Sequence, residues 1–334
     1  MKTLVTGGGG FLGRYIVEQL LARGDGVTVY ARGAYPELEA LGVTVVRGDL
    51  GLGEGLVEAL KDVEVVFHVA ARPGLWGRYR DFYEPNVVGT ERVIEACHRA
   101  GVARLVFTSS PSVVFDNHPH RGADESLPYP EQFESPYPAT KALAEQRVLA
   151  ANGPALATVS LRPHLIFGPR DRHLLPRVVA RAKAGRLVQV GGGQNQVDLC
   201  YVEDAARAHL LALDALTDAS SPVAGRAYFI TQGEPVRLWP WLNALLARLD
   251  IPPVTRKVPL GVARAIGGTL EVGYRLLGLG GEPRLTRFLA SELALDHYYS
   301  IDRARRDFGY IPQVTMEEGL ERTLAAGLKN AAGA

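Results

Sequence analysis

The chain has 334 residues, of which 47% are hydrophobic and 22% are charged. This length predicts roughly two domains, and the composition excludes the disordered, collagen-like and fibrous classes. Because 37 Lys and Arg residues face 36 Asp and Glu residues, the formal net charge is +1. The balance of charge gives no general electrostatic drive toward nucleic acid or an anionic membrane.

Short apolar runs alternate with helical patterns such as residues 11–22 and 86–99 in the first half of the chain. The runs that predict buried strands are residues 3–6, 27–30, 43–47, 65–69, 105–108 and 157–161. Strands without in-and-out alternation that are separated by helices indicate a parallel sheet covered on both faces. The sequence therefore predicts a doubly wound α/β domain of the Rossmann type.

The pattern changes after Pro163, where prolines and glycines become frequent and one further strand is predicted near residues 226–232. The last eighty residues are mainly helical in pattern. We expect residues 1–165, with the returning strand, to form a nucleotide-binding domain. Residues 166–334 are expected to form a smaller, discontinuous, mainly helical substrate-binding domain.

Three glycines follow the first predicted strand and open the first predicted helix. Gly7, Gly10 and Gly13 have the spacing that closes a tight turn and lets backbone N–H groups approach a pyrophosphate. Phe11 and Leu12 lie in the same turn. The position at the N-terminus of a helix makes a dinucleotide site a stronger interpretation than a plain glycine-rich turn.

The end of the second predicted strand bears on which dinucleotide is preferred. Enzymes that use NAD usually carry an acid there, whereas this chain continues with Ala31 and Arg32. Arg32 can pair with a 2′-phosphate, which favours NADP(H), with NAD(H) as the alternative and a solvated loop arginine as the structural interpretation. Asp49 and Leu50 follow the third strand and are expected at the adenine. Ala70 and Ala71 follow the fourth strand beside the expected cofactor path.

Tyr137 and Lys141 lie four residues apart at the start of a predicted helix, so both side chains share one helical face. An ammonium near a phenol favours the phenolate and lowers the pKa of the tyrosine, which makes acid–base catalysis practicable. Ser110 follows the fifth predicted strand, where a hydroxyl can polarise a carbonyl. An exposed helix face is the alternative for the Tyr-Lys pair taken alone.

Residues 260–279 are rich in Leu, Ile, Val, Ala and Gly. Arg264, Glu271 and Arg275 interrupt the segment, so it fails as a transmembrane helix. We predict a pair of buried or dimer-contact helices there. The alternatives are a mobile apolar cover over a hydrophobic substrate and a surface that contacts lipid. Cys97 and Cys200 lack the spacing of a disulfide framework or a zinc site, and no metal is expected.

Four motifs together resemble the extended short-chain dehydrogenases/reductases, in their 3β-hydroxysteroid dehydrogenase branch. They are TGGGGFLG at 6–13, TSSPSV at 108–113, YPATK at 137–141 and RPHLIFGP at 162–169. The resemblance implies that Ser110, Tyr137 and Lys141 form the catalytic triad and that Asn86 supports the site or contacts substrate. It also implies that Pro163, Leu165 and Ile166 line the nicotinamide. The sequence after the serine turn departs from the family's VYG, which leaves that loop open.

Within this branch, WGRY at 76–79 and the segments 136–152, 281–293 and 304–314 resemble bacterial reductases of 2-alkyl-3-oxoalkanoic acids in olefin biosynthesis. RPHLIFGPRD at 162–171 resembles sterol 4α-carboxylate 3-dehydrogenases. Both substrate types carry a carboxylate one carbon from the reacting centre, so a cation is expected there. Arg162, Arg170 and Arg172 are the candidates, with structural ion pairs as the alternative.

The resemblance implies NADPH-dependent reduction of the 3-keto group of a long-chain 2-alkyl-3-oxoalkanoic acid. The alternatives are a 3β-hydroxysteroid or sterol-carboxylate dehydrogenase and a non-catalytic NADP(H)-sensing protein. Trp76 and Tyr79 are expected to wall an acyl chain or merely to pack their loop. We further expect a cytoplasmic protein, peripheral at a membrane in one interpretation, that forms a homodimer. Association with other olefin-biosynthesis enzymes is also implied.

Overall fold

The computed structural model describes residues 1–327. In chain order the first half contains β1 (Lys2–Thr6), α1 (Phe11–Ala22), β2 (Gly26–Ala31), α2 (Pro36–Glu39), β3 (Thr44–Arg47), α3 (Leu56–Ala59), β4 (Val65–His68), α4 (Tyr79–Tyr83), α5 (Gly89–Ala100), β5 (Arg104–Thr108), β6 (His120–Ala123) and α6 (Pro136–Ala150). A π-helical turn at Glu84–Val88 precedes α5, and a 3₁₀ turn at Pro111–Val114 follows β5.

The second half continues with β7 (Ala157–Pro163), β8 (Ile166–Phe167), α7 (Leu175–Lys183), β9 (Gln189–Val190), β10 (Gln196–Val197), β11 (Cys200–Tyr201), α8 (Val202–Ala215), β12 (Arg226–Ile230), β13 (Val236–Arg237), α9 (Leu238–Arg248), β14 (Lys257–Val258), α10 (Leu260–Leu276), α11 (Arg287–Glu292), β15 (His297–Tyr299), α12 (Asp302–Phe308) and α13 (Met316–Ala325).

Within residues 1–327, seven strands form one sheet in the order β12-β7-β5-β4-β1-β2-β3. All of its pairings are parallel. Every residue of β4 and β7 is buried, because helices α1 and α8 cover one face of the sheet and α3, α5 and α6 cover the other. The predicted doubly wound sheet is confirmed, and its crevice opens at the carboxyl ends of β1 and β4.

A smaller sheet in the described part of the chain has the order β13-β10-β15-β6. It takes β6 from the first half of the chain, while the large sheet takes β12 from the second half. Helix α8 also returns to pack against α1. The chain thus crosses between the two sheets several times. The division into residues 1–165 and 166–334 stays a prediction.

The expectation of a pair of buried helices at residues 260–279 is wrong, while its other form, a dimer contact there, stays a prediction. The segment forms the single helix α10, whose small residues Ala263 and Gly267 face inward. A Cβ added to Gly267 would lie 2.7 Å from the backbone of Thr286, so glycine lets α10 approach the start of α11 closely. The large apolar residues point outward, and Leu276 is 81% exposed. No helix among residues 1–327 is long and apolar enough to cross a membrane.

Candidate active site

The glycine loop forms a cradle between β1 and α1. Gly7 has a φ of +70°, and a Cβ there would lie 2.8 Å from the Ala70 backbone. A Cβ on Gly13 would lie 2.2 Å from the Gly7 carbonyl oxygen. Gly10 caps α1 without any side-chain hydrogen bond. The first N–H groups of the helix, those of Phe11, Leu12 and Gly13, therefore stay available to an anionic group such as a pyrophosphate.

The other predicted cofactor residues lie at the carboxyl ends of adjacent strands. Arg32 follows β2, is exposed, and has no ion pair with any residue that the structure describes. Asp49, after β3, accepts a 2.7 Å hydrogen bond from the Gly51 N–H, and Leu50 lies against Gly89. Ala70 follows β4 and touches the glycine loop. These residues share one edge of the sheet, where a dinucleotide would fit.

Tyr35 is a residue at this edge that sequence reasoning missed. A Cβ added to Gly9 would lie 2.1 Å from the Tyr35 ring, so the ring lies directly against the glycine loop. The same ring lies beside Gly33, which follows Arg32. The glycine spacing contains no signal for a tyrosine more than twenty residues later, and only the fold shows this contact.

Ser110, Tyr137 and Lys141 come together after β5 and at the start of α6. Ser110 caps the 3₁₀ turn by accepting a hydrogen bond from the Ser112 N–H. Burial raises the pKa of the Tyr137 hydroxyl to about 12, and the neighbouring Ser110 hydroxyl opposes the rise as a hydrogen-bond partner. The hydroxyl is therefore protonated at neutral pH.

Lys141 behaves differently from the expectation that its ammonium lowers the pKa of Tyr137. Its Nζ donates a 2.6 Å hydrogen bond to the Thr108 carbonyl oxygen and lies 4.0 Å from the centre of the Phe107 ring. Burial lowers the pKa of Lys141 to about 7, while the charge of Glu145 opposes this effect. In the structure, burial outweighs any influence of the lysine on the tyrosine, and Lys141 is poised to gain or lose a proton near neutral pH.

Asn86 is buried in the π-helical turn, where its amide joins two parts of the site. Its Oδ1 accepts a 2.7 Å hydrogen bond from the Arg72 N–H, and its Nδ2 donates to the Arg72 carbonyl and to Thr140 Oγ1. The Asn86 side chain thus holds the loop after β4 against α6. Of the two roles implied for Asn86, support of the site fits these contacts.

Two of the three arginines predicted to bind a substrate carboxylate are engaged elsewhere. Arg162 is buried and pairs with the buried Glu145 at 2.6 Å. Arg170 pairs with Glu18 at 2.9 Å and stacks on the Tyr15 ring. Both follow the ion-pair alternative, and the expectation that either guanidinium is free beside the triad is wrong. Arg172 is exposed beyond the end of β8.

A cavity of about 980 Å³ opens beside the start of α6. Trp76 and Tyr79 line it, together with Tyr274 at the end of α10, and their contact with an acyl chain stays a prediction. The Trp76 and Tyr274 rings meet edge to face with their centres 6.3 Å apart. Pro136 and Ala139, on either side of Tyr137 in the sequence, also line the cavity. Its volume is in the range of roughly 300–1,000 Å³ typical of small-molecule sites.

Behind Pro163, Leu165 and Ile166 lies a buried polar cluster that the sequence did not reveal. His164 Nδ1 bonds Asp198 Oδ1, and His164 Nε2 bonds His297 Nδ1 at 3.2 Å. His297 Nε2 bonds the Glu292 carbonyl oxygen. These ring nitrogens are all engaged, so the cluster is a hydrogen-bond network that holds the segment after β7. Its members lie up to 133 residues apart, beyond the reach of any local pattern.

The fold and this site define an NAD(P)-dependent oxidoreductase of the extended short-chain dehydrogenase/reductase class. The model of the 3-beta hydroxysteroid dehydrogenase/isomerase family matches residues 4–260. The chain belongs to this family.

Individual relatives include a reductase of 2-alkyl-3-oxoalkanoates and a sterol dehydrogenase. The chain is 50% identical to the 2-alkyl-3-oxoalkanoate reductase of Stenotrophomonas maltophilia strain K279a, over 98% of this chain and 99% of that protein. It is 37% identical to the decarboxylating sterol-4-alpha-carboxylate 3-dehydrogenase of Mus musculus, over 97% and 90% of the two chains. The solved structure of MoeE5 in complex with UDP-glucose and NAD has a TM-score of 0.74 and 26% identity, and covers 98% of each chain.

Proposed function

We propose that the protein is an NADPH-dependent ketoreductase that converts a long-chain 2-alkyl-3-oxoalkanoic acid into the 2-alkyl-3-hydroxy acid. The observation that carries this proposal is the 50% identity to the Stenotrophomonas reductase over nearly all of both chains. The sterol dehydrogenase is the weaker match at 37% identity. The placement of Ser110 and Tyr137 at the carboxyl end of the sheet supports a carbonyl reduction.

The residues at the sheet edge fit a nicotinamide dinucleotide. The free N–H groups at the start of α1 would bind the pyrophosphate. The remaining contacts would come from Arg32, Asp49, Leu50, Ala70, Ala71, Pro163, Leu165 and Ile166. When bound, the reduced nicotinamide supplies the hydride that adds to C3 of the substrate.

The protein's own residues supply the proton. Ser110 donates a hydrogen bond to the C3 carbonyl oxygen, and Tyr137 donates the proton that this oxygen takes up as the hydride arrives. The tyrosinate is then reprotonated through Lys141, whose pKa of about 7 suits exchange with solvent. In this proposal Lys141 also turns from the Thr108 carbonyl to the nicotinamide ribose.

The test follows nicotinamide absorbance with purified protein, NADPH and a 2-alkyl-3-oxoalkanoic acid. The stable 2-alkyl-3-hydroxy acid with NADP⁺ gives the reverse assay. We expect turnover in both directions. If neither acid is turned over and a 3β-hydroxysteroid is oxidised, the result would favour the sterol dehydrogenase alternative. NADPH binding without turnover of either substrate class would favour a sensing protein.

We expect Arg32→Ala to lower kcat/KM for NADPH by about 10- to 100-fold, because a charge-assisted pair with the 2′-phosphate is lost. The value for NADH should change by less than about threefold, since NADH lacks that phosphate. Arg47→Ala is the matched control, because Arg47 is exposed at the end of the neighbouring strand. Equal losses with both cofactors, or an NADH preference in the unaltered protein, would contradict the proposed NADP(H) preference.

We propose, as the family resemblance implies, that two copies of the chain associate through the outer faces of α5 and α6. Leu143 is half-buried on α6, and Arg147 of α6 pairs with Glu91 of α5 at 3.1 Å. Light scattering should give twice the chain mass of 36.1 kDa. Leu143→Glu should give the single mass, whereas Gln146→Glu should not. If the unaltered protein has the mass of one chain, the proposed interface is contradicted. The cytoplasmic location, a peripheral membrane contact and an association with other olefin-biosynthesis enzymes stay predictions.

A further inference from the structure

The cavity beside α6 is lined by three arginines and three acids, but their charges are not equally engaged. Each acid already holds an arginine: Asp81 holds Arg78, Glu134 holds Arg264, and Glu282 holds Arg177. Arg264 and Arg177 come from outside the lining residues. Among the residues that the structure describes, Arg72 and Arg275 are the lining cations without an acidic partner. The cavity therefore carries excess positive charge.

Of these two cations, Arg72 is the one whose backbone is held against α6, the helix that carries Tyr137 and Lys141. The Arg72 N–H donates to Asn86 Oδ1. Asn86 Nδ2 donates to the Arg72 carbonyl oxygen and to Thr140 Oγ1. The Thr140 hydroxyl in turn donates to the Tyr137 carbonyl oxygen at 3.1 Å and to the Pro136 carbonyl oxygen at 2.9 Å. Two side chains thus connect the backbone of Arg72 to that of Tyr137.

The loop that carries Arg72 is held at a second point, and its guanidinium is supported by a ring. Ser135, immediately before α6, donates a 3.0 Å hydrogen bond to the Leu75 carbonyl oxygen. The Arg72 guanidinium carbon lies 5.3 Å from the centre of the Phe82 ring, which also lines the cavity. The Arg275 guanidinium likewise lies 5.2 Å from the centre of the Trp76 ring, but Arg275 is near the exposed end of α10. The backbone of Arg72 is therefore held against α6, and its exposed guanidinium, which lines the cavity, rests against the Phe82 ring.

We infer that Arg72 binds the carboxylate of the substrate while Trp76 and Tyr79 flank its alkyl chains. This inference rests on the proposed function, because a 2-alkyl-3-oxoalkanoic acid carries its carboxylate one carbon from the carbonyl that Ser110 and Tyr137 address. A guanidinium matches a carboxylate with two parallel hydrogen bonds. Arg72 thus takes the role predicted for Arg162, Arg170 or Arg172; the first two have guanidiniums held by Glu145 and Glu18.

The experiment compares the 2-alkyl-3-hydroxy acid with its methyl ester in the NADP⁺ assay, for the unaltered protein, Arg72→Met, Arg72→Lys and Arg275→Met. We expect Arg72→Met to raise KM for the acid by about 10- to 100-fold and to leave the ester within about twofold. Arg72→Lys should recover part of the loss. Arg275→Met is the matched control and should keep the preference for the acid.

Two results would overturn the inference about Arg72. One is an unchanged acid-to-ester ratio in Arg72→Met, or a loss of that ratio in Arg275→Met instead. The other is a fall in NADP⁺ affinity, measured by calorimetry, that matches the loss of activity, because Arg72 would then serve the cofactor.

Binding of a saturated 2-alkyl alkanoic acid, measured by calorimetry, separates this inference from the proposed function. Such an acid has no 3-oxygen and cannot react. If the unaltered protein binds it and Arg72→Met binds it at least about tenfold more weakly, the role of Arg72 stands even where the keto acid is not reduced. In that case the proposed function fails alone. If the unaltered protein reduces the keto acid and both proteins bind the saturated acid equally, only the role of Arg72 fails.

Discussion

Tyr137→Phe is expected to lower kcat by about 100- to 10,000-fold, the range by which a positioned acid accelerates proton transfer. Phenylalanine keeps the ring and its packing but removes the hydroxyl that neighbours Ser110. Because burial raises the pKa of this hydroxyl to about 12, the group is a proton donor at neutral pH. Steady-state rates with the 2-alkyl-3-oxo acid measure the effect. NADPH titration by fluorescence should show unchanged binding.

The controls for Tyr137→Phe separate chemistry from folding. Its unfolding midpoint should stay within a few degrees of that of the unaltered protein, because no packed atom besides the oxygen is lost. Ser110→Ala should lower the rate as well, whereas Ser112→Ala should have a smaller effect since Ser112 bonds only within the turn. A Tyr137→Phe protein that keeps more than about a tenth of the rate would show that another group donates the proton.

The large sheet and the glycine loop were predictable because their causes are local. Buried parallel strands need apolar side chains on both faces, so β4 appears as an apolar run that ends at His68, whereas β7 is fully buried although it carries Thr158 and Ser160. Within this βα turn, Gly7 is required by its φ of +70° and Gly13 by the close approach of the Gly7 backbone. The i, i+4 spacing likewise places Tyr137 and Lys141 on one face of α6.

The substrate side of the site was less predictable because its causes are distant in sequence. Arg170 was a candidate for the substrate carboxylate until the fold brought Glu18, 152 residues away, to its guanidinium. Arg72 was not singled out, because its placement depends on bonds from Asn86 and on acids that other arginines neutralise. Composition was also misleading for α10, because this apolar helix buries Ala263, Gly267 and Glu271 and exposes large apolar residues such as Leu276.

The buried pair of Arg162 and Glu145 sets the second large expected effect, which is on stability. We expect Arg162→Met to lower the free energy of unfolding by about 3–5 kcal/mol, because removing one partner leaves an uncompensated buried charge. Glu145 would keep hydrogen bonds from Tyr129 and Ser160, at 2.7 and 2.8 Å, but would lose the guanidinium. Urea unfolding near neutral pH measures the change.

Arg170→Met is the matched control for Arg162→Met. Its pair with Glu18 is partly exposed, with the arginine side chain 49% accessible, so its loss should cost only about 0–1 kcal/mol. Both arginines were carboxylate candidates from the sequence. If either instead contacted the substrate, the variant would raise KM with little change in unfolding. The Glu145→Leu, Arg162→Met double variant should regain much of the stability, because no charge is then left buried.

The pH dependence gives an independent check on the same pair. Although burial alone would raise the pKa of Glu145, the Arg162 guanidinium holds it below its usual value. This contribution to stability is therefore present above the unfolded-state pKa of about 4.3 and is lost as the pH falls below it. In Arg162→Met, burial without the cation raises the pKa of Glu145, so that protein loses stability as the pH rises through the shifted value. The difference between the two proteins should thus shrink from neutral pH toward about pH 5, and a constant difference would show that the lost packing of Arg162, and not its charge, is responsible.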